Sequence, residues 1–405
     1  MAQKFSLKFT EFASMEKSID GFYLTDEAKK AEWIVTEKVH GSNFSFHVSS
    51  TMVKAASRRR FLKPNEDFFA YKSANFMKTK PIHIEKMKGV YKSVTERYPA
   101  EPKIFQVSIW GELYGGTYIV DGENLNKLKM NPVQREIEYS PRIEWVAYDI
   151  SYRTEKDKFE QDFVDYDVAM EIFKQHDVSH VEPLLKGNML EVLSYDLEFD
   201  SLVPKVLGQP ELPFGTNIAE GVVARPLKTL RCINKKENKE ARLIIKIKHP
   251  TYDESREPPG KRQSTGNGDN VPHKKITKKA SVPELVKKVL EYCTEKRLKS
   301  AVSKYGYPVG QERVGDVVDE LVKSIWTDFS DDINQEISKV SDTELMGEIR
   351  FAIRTKATEL ATKMESESES DSESNSTTIS VVHKGAESAD GLREGSLVLD
   401  LEHTL

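Results

Sequence analysis

The chain has 405 residues, of which 31% are charged and 38% are hydrophobic. This length predicts two domains with an appendage. The net charge of −5 argues against a uniformly basic surface, so a nucleic-acid site would have to be a basic patch on part of the surface. No apolar run is long enough for a membrane span, and MAQKFSLKFTEF lacks the apolar core of a signal peptide. With only two cysteines, Cys232 and Cys293, the chain is expected to be intracellular, either cytoplasmic or nuclear, and reduced.

Residues 1–250 mix strand-like and helix-like patterns. EWIVTEKV and FSFHV flank HGSN, which predicts two antiparallel strands joined by a turn. Further strands are predicted at Ile104–Trp110, Ile143–Ile150, Gly221–Arg225 and Leu243–Ile247, and helices at Phe163–Phe173 and Leu190–Leu193. Because strands and helices do not alternate regularly, the pattern predicts an α+β domain rich in antiparallel sheet.

The rest of the sequence, residues 251–405, divides into three segments of different composition. Residues 251–280 form a basic linker rich in Pro and Gly, which is either a solvated hinge or a contact for a phosphate backbone. Residues 281–363 carry apolar residues at helical spacing and a capping box at Ser341 and Glu344, which predicts a helical C-terminal domain. Residues 364–405 form an acidic tail rich in Ser and Glu, with too little apolar surface to fold, so this tail is expected to be disordered.

One lysine stands out by its local setting. Lys38 comes near the end of a predicted strand and before Gly41, a placement that presents its amine to a cleft. A lysine amine can act as a covalent nucleophile, although an exposed lysine beside a hairpin turn is the competing interpretation.

Other charged residues recur near strand ends. Lys246 and Lys248 alternate with isoleucines, so both lysines are expected on one face, where a phosphate could lie between them. The competing interpretation is a strand with one solvent face. Glu112 and Glu220 suit Mg²⁺ and ribose hydroxyls, whereas either alone would more often lie on the surface. Tyr148, next to Asp149, suits stacking on a nucleotide base, although a core tyrosine is the competing interpretation. The arginine run 58–60 indicates either a phosphate contact or a solvated turn.

Taken in order, these segments resemble one family. KVHGSN, ASRRRFLKPNEDFF, GELYGG, WVAYDI, AEGVVARP and LIIKIKHP are similar to the successive motifs of covalent nucleotidyltransferases. Histidine two places after the lysine and asparagine five places after it match the RNA ligase 2-like family, which includes a bacteriophage RNA ligase and the kinetoplastid RNA-editing ligases. The resemblance covers roughly residues 30–250 and implies an ATP-dependent polynucleotide ligase of that family.

The resemblance also implies a fold and a role for each residue. It implies an antiparallel-rich, ATP-grasp-like nucleotidyltransferase domain followed by a small all-helical domain. Lys38 would take AMP from ATP, Tyr148 would stack on adenine, and Glu112 would bind a ribose hydroxyl. The remaining residues are nucleotide contacts at Glu37, His40, Asn43 and Arg58, metal contacts through water at Glu220 and Asp149, and phosphate contacts at Lys246 and Lys248. The implied cofactors are ATP, as the source of covalent AMP, and Mg²⁺ or Mn²⁺.

The same resemblance implies a substrate and leaves alternatives open. The expected substrate is a nicked RNA duplex with a 5′-phosphate and a 3′-OH, and the expected role is RNA repair or editing. A monomer is the favoured oligomeric state. One alternative is an mRNA-capping guanylyltransferase, although such enzymes carry Asp at the position of His40 and a β-barrel where this chain has predicted helices. The other alternative is a catalytically silent RNA-binding relative.

Overall fold

The computed structural model describes residues 6–72, 80–99, 103–127, 129–154, 161–252, 287, 289–306, 313–333 and 351–359. These residues belong to one compact unit that extends to Ala361. Within these ranges, none of the helices combines the length and the apolar character that crossing a membrane requires. The expected basic linker from residue 253 onward, the acidic tail, and the capping box at Ser341 lie outside the described residues. The proposed domain boundaries stay predictions.

Fourteen strands and seven α-helices are defined in the described residues. The strands are β1 Phe22–Tyr23, β2 Trp33–Glu37, β3 Ser42–Val48, β4 Val53–Ser57, β5 Ile104–Thr117, β6 Ile119–Val120, β7 Glu123–Asn124, β8 Ser140–Thr154, β9 Asp162–Phe163, β10 Pro183–Gly187, β11 Gly221–Pro226, β12 Arg231–Asn234, β13 Lys239–Arg242 and β14 Ile245–Lys248. The helices are α1 Asp26–Lys30, α2 Lys80–Arg97, α3 Tyr166–Gln175, α4 Met189–Leu193, α5 Val203–Val206, α6 Glu295–Ser303 and α7 Val314–Ile333. Residues 351–359 are also helical.

Two antiparallel sheets organise the N-terminal part. The first has the order β10-β2-β11-β14, and the second has the order β4-β3-β5-β8-β9. The second sheet is built on the long ladder between β5 and β8. Its strand β3 alternates as period two requires: Phe44, Phe46 and Val48 enter the main apolar core, whereas Ser45 and His47 point to the opposite face. The mixed helix and antiparallel-sheet class predicted from the sequence is confirmed.

The turn after Lys38 is not the hairpin that the sequence suggests. Strands β2 and β3 do not pair with each other; β2 belongs to the first sheet and β3 to the second. Gly41 allows the crossing, because a Cβ there would lie 2.0 Å from the Leu113 carbonyl oxygen. The expectation of a paired hairpin was therefore wrong, and the chain that carries Lys38 instead passes from one sheet to the other.

The C-terminal helices pack beside the second sheet. Helix α7 buries Val317, Leu321, Ile325 and Phe329, in agreement with the predicted helical spacing. Other contacts join these helices to the sheet domain: the Ser42 hydroxyl donates to the Ser303 carbonyl at 2.5 Å, Arg59 forms a salt bridge with Glu320, and Arg313 lies 3.3 Å from Glu66. The helical region therefore contacts the start of β3 and the segment that follows β4.

Candidate active site

Three predicted site residues lie at one end of the first sheet. Lys38 follows β2, Glu220 precedes β11, and Lys248 ends β14. The register opposes Val222 to Glu37 and Gly221 to Lys248, so these residues are neighbours across three adjacent strands. Gly221 is required here because its φ is +140° and an added Cβ would lie 2.1 Å from the Ile247 carbonyl oxygen.

Glu220 is the centre of this group. Its Oε2 lies 2.5 Å from Lys38 Nζ, and its Oε1 lies 3.0 Å from Lys248 Nζ. The carboxylate is buried, and burial alone would raise its pKa, but the charges of Lys38, Lys248 and His40 hold the pKa well below its usual range. One buried carboxylate therefore holds two lysine amines close together.

His40 joins this centre to a loop. Its Nδ1 lies 3.2 Å from Glu220 Oε2, its Nε2 lies 3.3 Å from Glu136 Oε2, and its backbone N–H donates to the Tyr139 hydroxyl at 2.8 Å. Burial would lower the His40 pKa, but the two carboxylates raise it to about 9. The imidazole is therefore protonated at neutral pH in this state and adds a third positive charge around Glu220.

The second sheet supplies the facing group. Asn43 on β3 lies opposite Glu112 on β5, and the Asn43 amide donates to the Tyr148 hydroxyl on β8 at 2.6 Å. Burial raises the Glu112 pKa to about 7. The positive charge of Lys38 opposes this rise, so Glu112 lies near Lys38. Asn43 Oδ1 is buried and has no hydrogen-bond partner in the part of the chain that the structure describes. Such an oxygen is suited to a donor on a bound ligand.

The three arginines after β4 have different surroundings. Arg59 is bound by Glu11 at 2.7 Å and by Glu320, and Arg60 forms a two-bonded pair with Glu66 at 2.7 and 2.6 Å. By contrast, the positive charge of Arg58 opposes the rise in the pKa values of both Glu112 and Tyr148, so Arg58 lies near these two side chains. Of the run, Arg58 is therefore the arginine that the structure brings to the site.

Two predicted residues have structural partners of their own. The Glu37 carboxylate accepts from the Ser201 hydroxyl at 2.6 Å and from the Leu202 N–H at 2.9 Å, and burial raises its pKa to about 7. Asp149 is buried in salt bridges with Arg225 at 2.7 Å and Arg242 at 2.5 Å. The structure therefore does not bring Asp149 to the Glu220 centre, and the arginines occupy the oxygens that a metal ion would need.

Lys246 lies on β14 beside its neighbour Lys248. Its backbone pairs with Val223 and donates to the Glu16 carbonyl at 2.9 Å. Ile245 and Ile247 on the same strand pack into the apolar core of the first sheet. The isoleucines therefore face the core, as predicted. Because side chains alternate along a strand, Lys246 and Lys248 point to the opposite face.

Sequence reasoning missed several residues around the site. Glu136 and Tyr139 hold His40, and Tyr252 packs against the His40 ring at 5.6 Å while donating to the Ile218 carbonyl at 3.0 Å. Glu136 and Tyr139 lie in an irregular segment that has no periodic pattern, so no local signal identifies them. Across the described ranges, no group of three or more His, Cys, Asp or Glu side chains could hold a metal ion by itself.

The structure thus holds Lys38 against a buried carboxylate and gathers Asn43, Glu112 and Tyr148 on the neighbouring sheet, which is the arrangement expected of a lysine-centred nucleotidyltransferase site. A family model described as RNA ligase matches residues 31–248, and a second, described as T4 RNA ligase 2 C-terminal, matches residues 276–354. The chain belongs to the RNA ligase family, in its RNA ligase 2-like branch.

Two relatives come from Trypanosoma brucei brucei. Mitochondrial RNA-editing ligase 2 is 30% identical over 213 residues, which is 48% of this chain and 48% of the relative. Mitochondrial RNA-editing ligase 1 is 29% identical over 249 residues, which is 56% of this chain and 51% of the relative. The chain thus spans about half the length of the curated relatives that it matches.

Solved structures of Naegleria gruberi RNA ligase show distant similarity. The form with PPi is 15% identical, covers 60% of this chain and 57% of its own, and has a TM-score of 0.36. A variant with ATP and Mn is 14% identical, with the same coverage and a TM-score of 0.34.

Proposed function

We propose that this protein is an ATP-dependent RNA ligase that joins a 3′-OH to a 5′-phosphate. The observation that carries the proposal is the pair of lysine amines, Lys38 and Lys248, held on Glu220 at 2.5 and 3.0 Å. Family membership supports the same chemistry, and the relatives named RNA-editing ligases support RNA as the substrate.

The first step is the transfer of AMP to Lys38. In its neutral form, the Nζ atom forms a bond to the α-phosphorus of ATP, the bond from that phosphorus to the bridging oxygen breaks, pyrophosphate leaves, and the amine releases one proton to water. Lys246 and Lys248 neutralise the charge that develops on the phosphate oxygens, because positioning and electrostatic stabilisation supply most of the catalysis in such transfers. Tyr148 stacks on the adenine, Glu112 accepts from a ribose hydroxyl, and Arg58 binds a phosphate.

The later steps use the same centre. The 5′-phosphate of the RNA attacks the AMP phosphorus, the bond to Lys38 breaks, and a 5′–5′ pyrophosphate linkage forms. The 3′-OH then attacks the adenylated 5′-phosphate and AMP leaves, which closes the phosphodiester. Each step displaces a group at phosphorus, so the positive charges around Glu220 suit all three.

The donor set fits Mg²⁺ or Mn²⁺ carried by the nucleotide. Such ions are commonly bound by one or two carboxylates together with substrate phosphates and waters. The buried Glu220 carboxylate offers such oxygens once phosphate competes for Lys38 and Lys248. When bound, the ion would neutralise charge on the phosphates.

The helical region is proposed to dock RNA rather than to build the adenylation centre. Its contacts reach Ser42 and Arg59, whereas Lys38, Glu220 and Lys248 are all contributed by the sheet domain. The expected substrate remains a nicked duplex, and the predicted domains, at 1–250 and 281–363 with a linker and an acidic tail, remain part of this proposal.

The proposal is tested by two assays on the full chain. Incubation with labelled ATP or labelled GTP, followed by denaturing electrophoresis, should give a labelled protein with ATP alone. Sealing should then occur on a nicked RNA duplex, more than on a DNA-splinted RNA or on single strands. Labelling by GTP would indicate a capping-type guanylyltransferase, and the absence of any labelling would indicate a silent RNA-binding relative.

A further inference from the structure

The segment of residues 6–18, which precedes the first strand and forms no helix or strand, contacts both sheets. We call it the N-terminal strap. Near its start, the backbone of Lys8 exchanges two hydrogen bonds with the Gln106 side chain, at 2.8 and 2.9 Å. Near its end, the Glu16 carbonyl accepts from the Lys246 N–H at 2.9 Å. The strap is thus fixed at both ends, on β5 of one sheet and on β14 of the other.

Between these anchors the strap touches the arginine segment and the sheet. Glu11 forms a salt bridge with Arg59 at 2.7 Å, and its carbonyl accepts from the Gln161 amide at 3.3 Å. The Thr10 hydroxyl accepts from Arg153 at 3.0 Å. These polar contacts hold the two residues before Phe12 close to the sheet, and the Glu16 contact fixes the segment after it.

Phe12 is the buried residue of the middle of the strap. It is 3% exposed and contacts three rings, with centroid distances of 5.3 Å to Trp110, 5.4 Å to Tyr148 and 5.8 Å to Phe163. All three contacts are edge-to-face, with interplanar angles of 63°, 80° and 87°. Edge-to-face packing is directional, so Phe12 restrains the plane of each ring that it touches.

Tyr148 is therefore held at two points. Its hydroxyl accepts from Asn43 at 2.6 Å, and its ring packs against Phe12. Tyr148 as a residue is only partly buried, so neighbouring residues do not enclose it completely. One hydrogen bond at the hydroxyl leaves rotation about the ring axis unrestrained, whereas the Phe12 contact opposes that rotation.

We propose that Phe12 is a positioning residue for nucleotide binding, which fixes the plane of the Tyr148 ring for stacking on the base. The inference rests on the proposed function, since it takes adenine as the ligand of Tyr148. It predicts that Phe12 acts on ATP affinity, through Tyr148, without touching the nucleotide. A base should therefore stack less well when Phe12 is truncated, even though every group that contacts ATP is still present.

The test measures single-turnover formation of the protein-AMP adduct against ATP concentration. Phe12→Ala should raise the half-saturating ATP concentration by roughly 3- to 10-fold, the range expected for loss of a directional aromatic contact, with little change in the limiting rate. Phe12→Leu fills most of the space and should fold if Phe12→Ala does not; it should give a smaller increase in the same direction. An unchanged half-saturating concentration in a folded variant would overturn the proposal.

Phe22→Ala is the matched control. Phe22 is 4% exposed but packs in the separate apolar core of the first sheet, so its truncation should lower thermal stability while leaving ATP saturation unchanged. If Phe22→Ala shifts saturation as much as Phe12→Ala, the effect is general destabilisation and the inference fails.

A double-mutant cycle separates action through Tyr148 from a direct effect. In a Tyr148→Ala background, Phe12→Ala should cause no further rise in the half-saturating ATP concentration, because the ring that it restrains is absent. Equal effects in both backgrounds would contradict the inference. Failure of the unaltered chain to form an AMP adduct would instead refute the proposed function, which distinguishes the two.

Discussion

Replacing Asp149 by asparagine separates two roles for this residue. The sequence resemblance gives Asp149 a metal contact, whereas the structure buries it between Arg225 and Arg242, with the three side chains only 2%, 4% and 9% exposed. Asp149→Asn removes the negative charge and leaves two buried guanidinium groups without compensation. Breaking a buried ion pair in this way costs about 3–5 kcal/mol, so the free energy of unfolding should fall by about that amount.

Urea unfolding followed by tryptophan fluorescence measures this loss. Asp26→Asn is the control, because Asp26 pairs with Lys29 on the surface, where a salt bridge contributes about 0–1 kcal/mol. The Mg²⁺ concentration for half-maximal adenylation, measured at low temperature on folded protein, should not change in Asp149→Asn. A loss below about 1 kcal/mol combined with a raised Mg²⁺ requirement would refute the structural role and favour the metal role.

Three further predictions concern the nucleotide, pH and the helical region. Tyr148→Ala should weaken ATP binding in a titration by about 1–3 kcal/mol, and Tyr148→Phe should cost little; equal losses would show that stacking is the wrong role. Burial raises the Glu37 pKa from 4.5 to about 7, so between these pH values Glu37 is protonated in the folded state and ionised in the unfolded state. The free energy of unfolding therefore falls as pH rises from 4.5 to about 7. The free energy of unfolding of Glu37→Gln should therefore rise relative to the unaltered chain between these pH values, and a constant difference would contradict the burial argument. A chain ending at Pro272 should still form the AMP adduct but seal nicked RNA much more slowly, and removal of the tail from Met364 should leave sealing intact; full-rate sealing by the shorter chain would contradict the docking role.

The sequence predicted the reactive residues of the site better than the residues that hold them in position. Lys38, Glu220 and Lys248 lie at or beside the ends of strands, where short motifs are readable, and the structure brings them together. Asn43, Glu112 and Tyr148 were likewise found on neighbouring strands. These residues were identified by the ordered motifs that resemble the family, whereas period-two alternation by itself predicts only the shared face of Lys246 and Lys248.

The residues and strands that hold the site in position depend on contacts between distant parts of the chain, which local sequence patterns do not encode. The hairpin interpretation of β2 and β3 failed because β2 pairs with the distant strands β10 and β11, whereas β3 pairs with β4, the next strand, and with β5. Local alternation says nothing about which strand pairs with which. Arg59 and Asp149 have charges suited to phosphate or metal, but their partners, Glu320 and the Arg225–Arg242 pair, are distant in sequence. Phe12 lies in a segment without regular structure, so no periodicity marks it.

The central claim is that Lys38 is the residue that carries AMP. The most direct test is incubation with ATP and Mg²⁺, proteolysis, and mass spectrometric mapping of the modified peptide. We predict AMP on Lys38, no adduct in Lys38→Ala, and an unchanged adduct in Lys29→Ala, which removes an exposed lysine of α1. An adduct on another lysine, or one that persists in Lys38→Ala, would contradict the account.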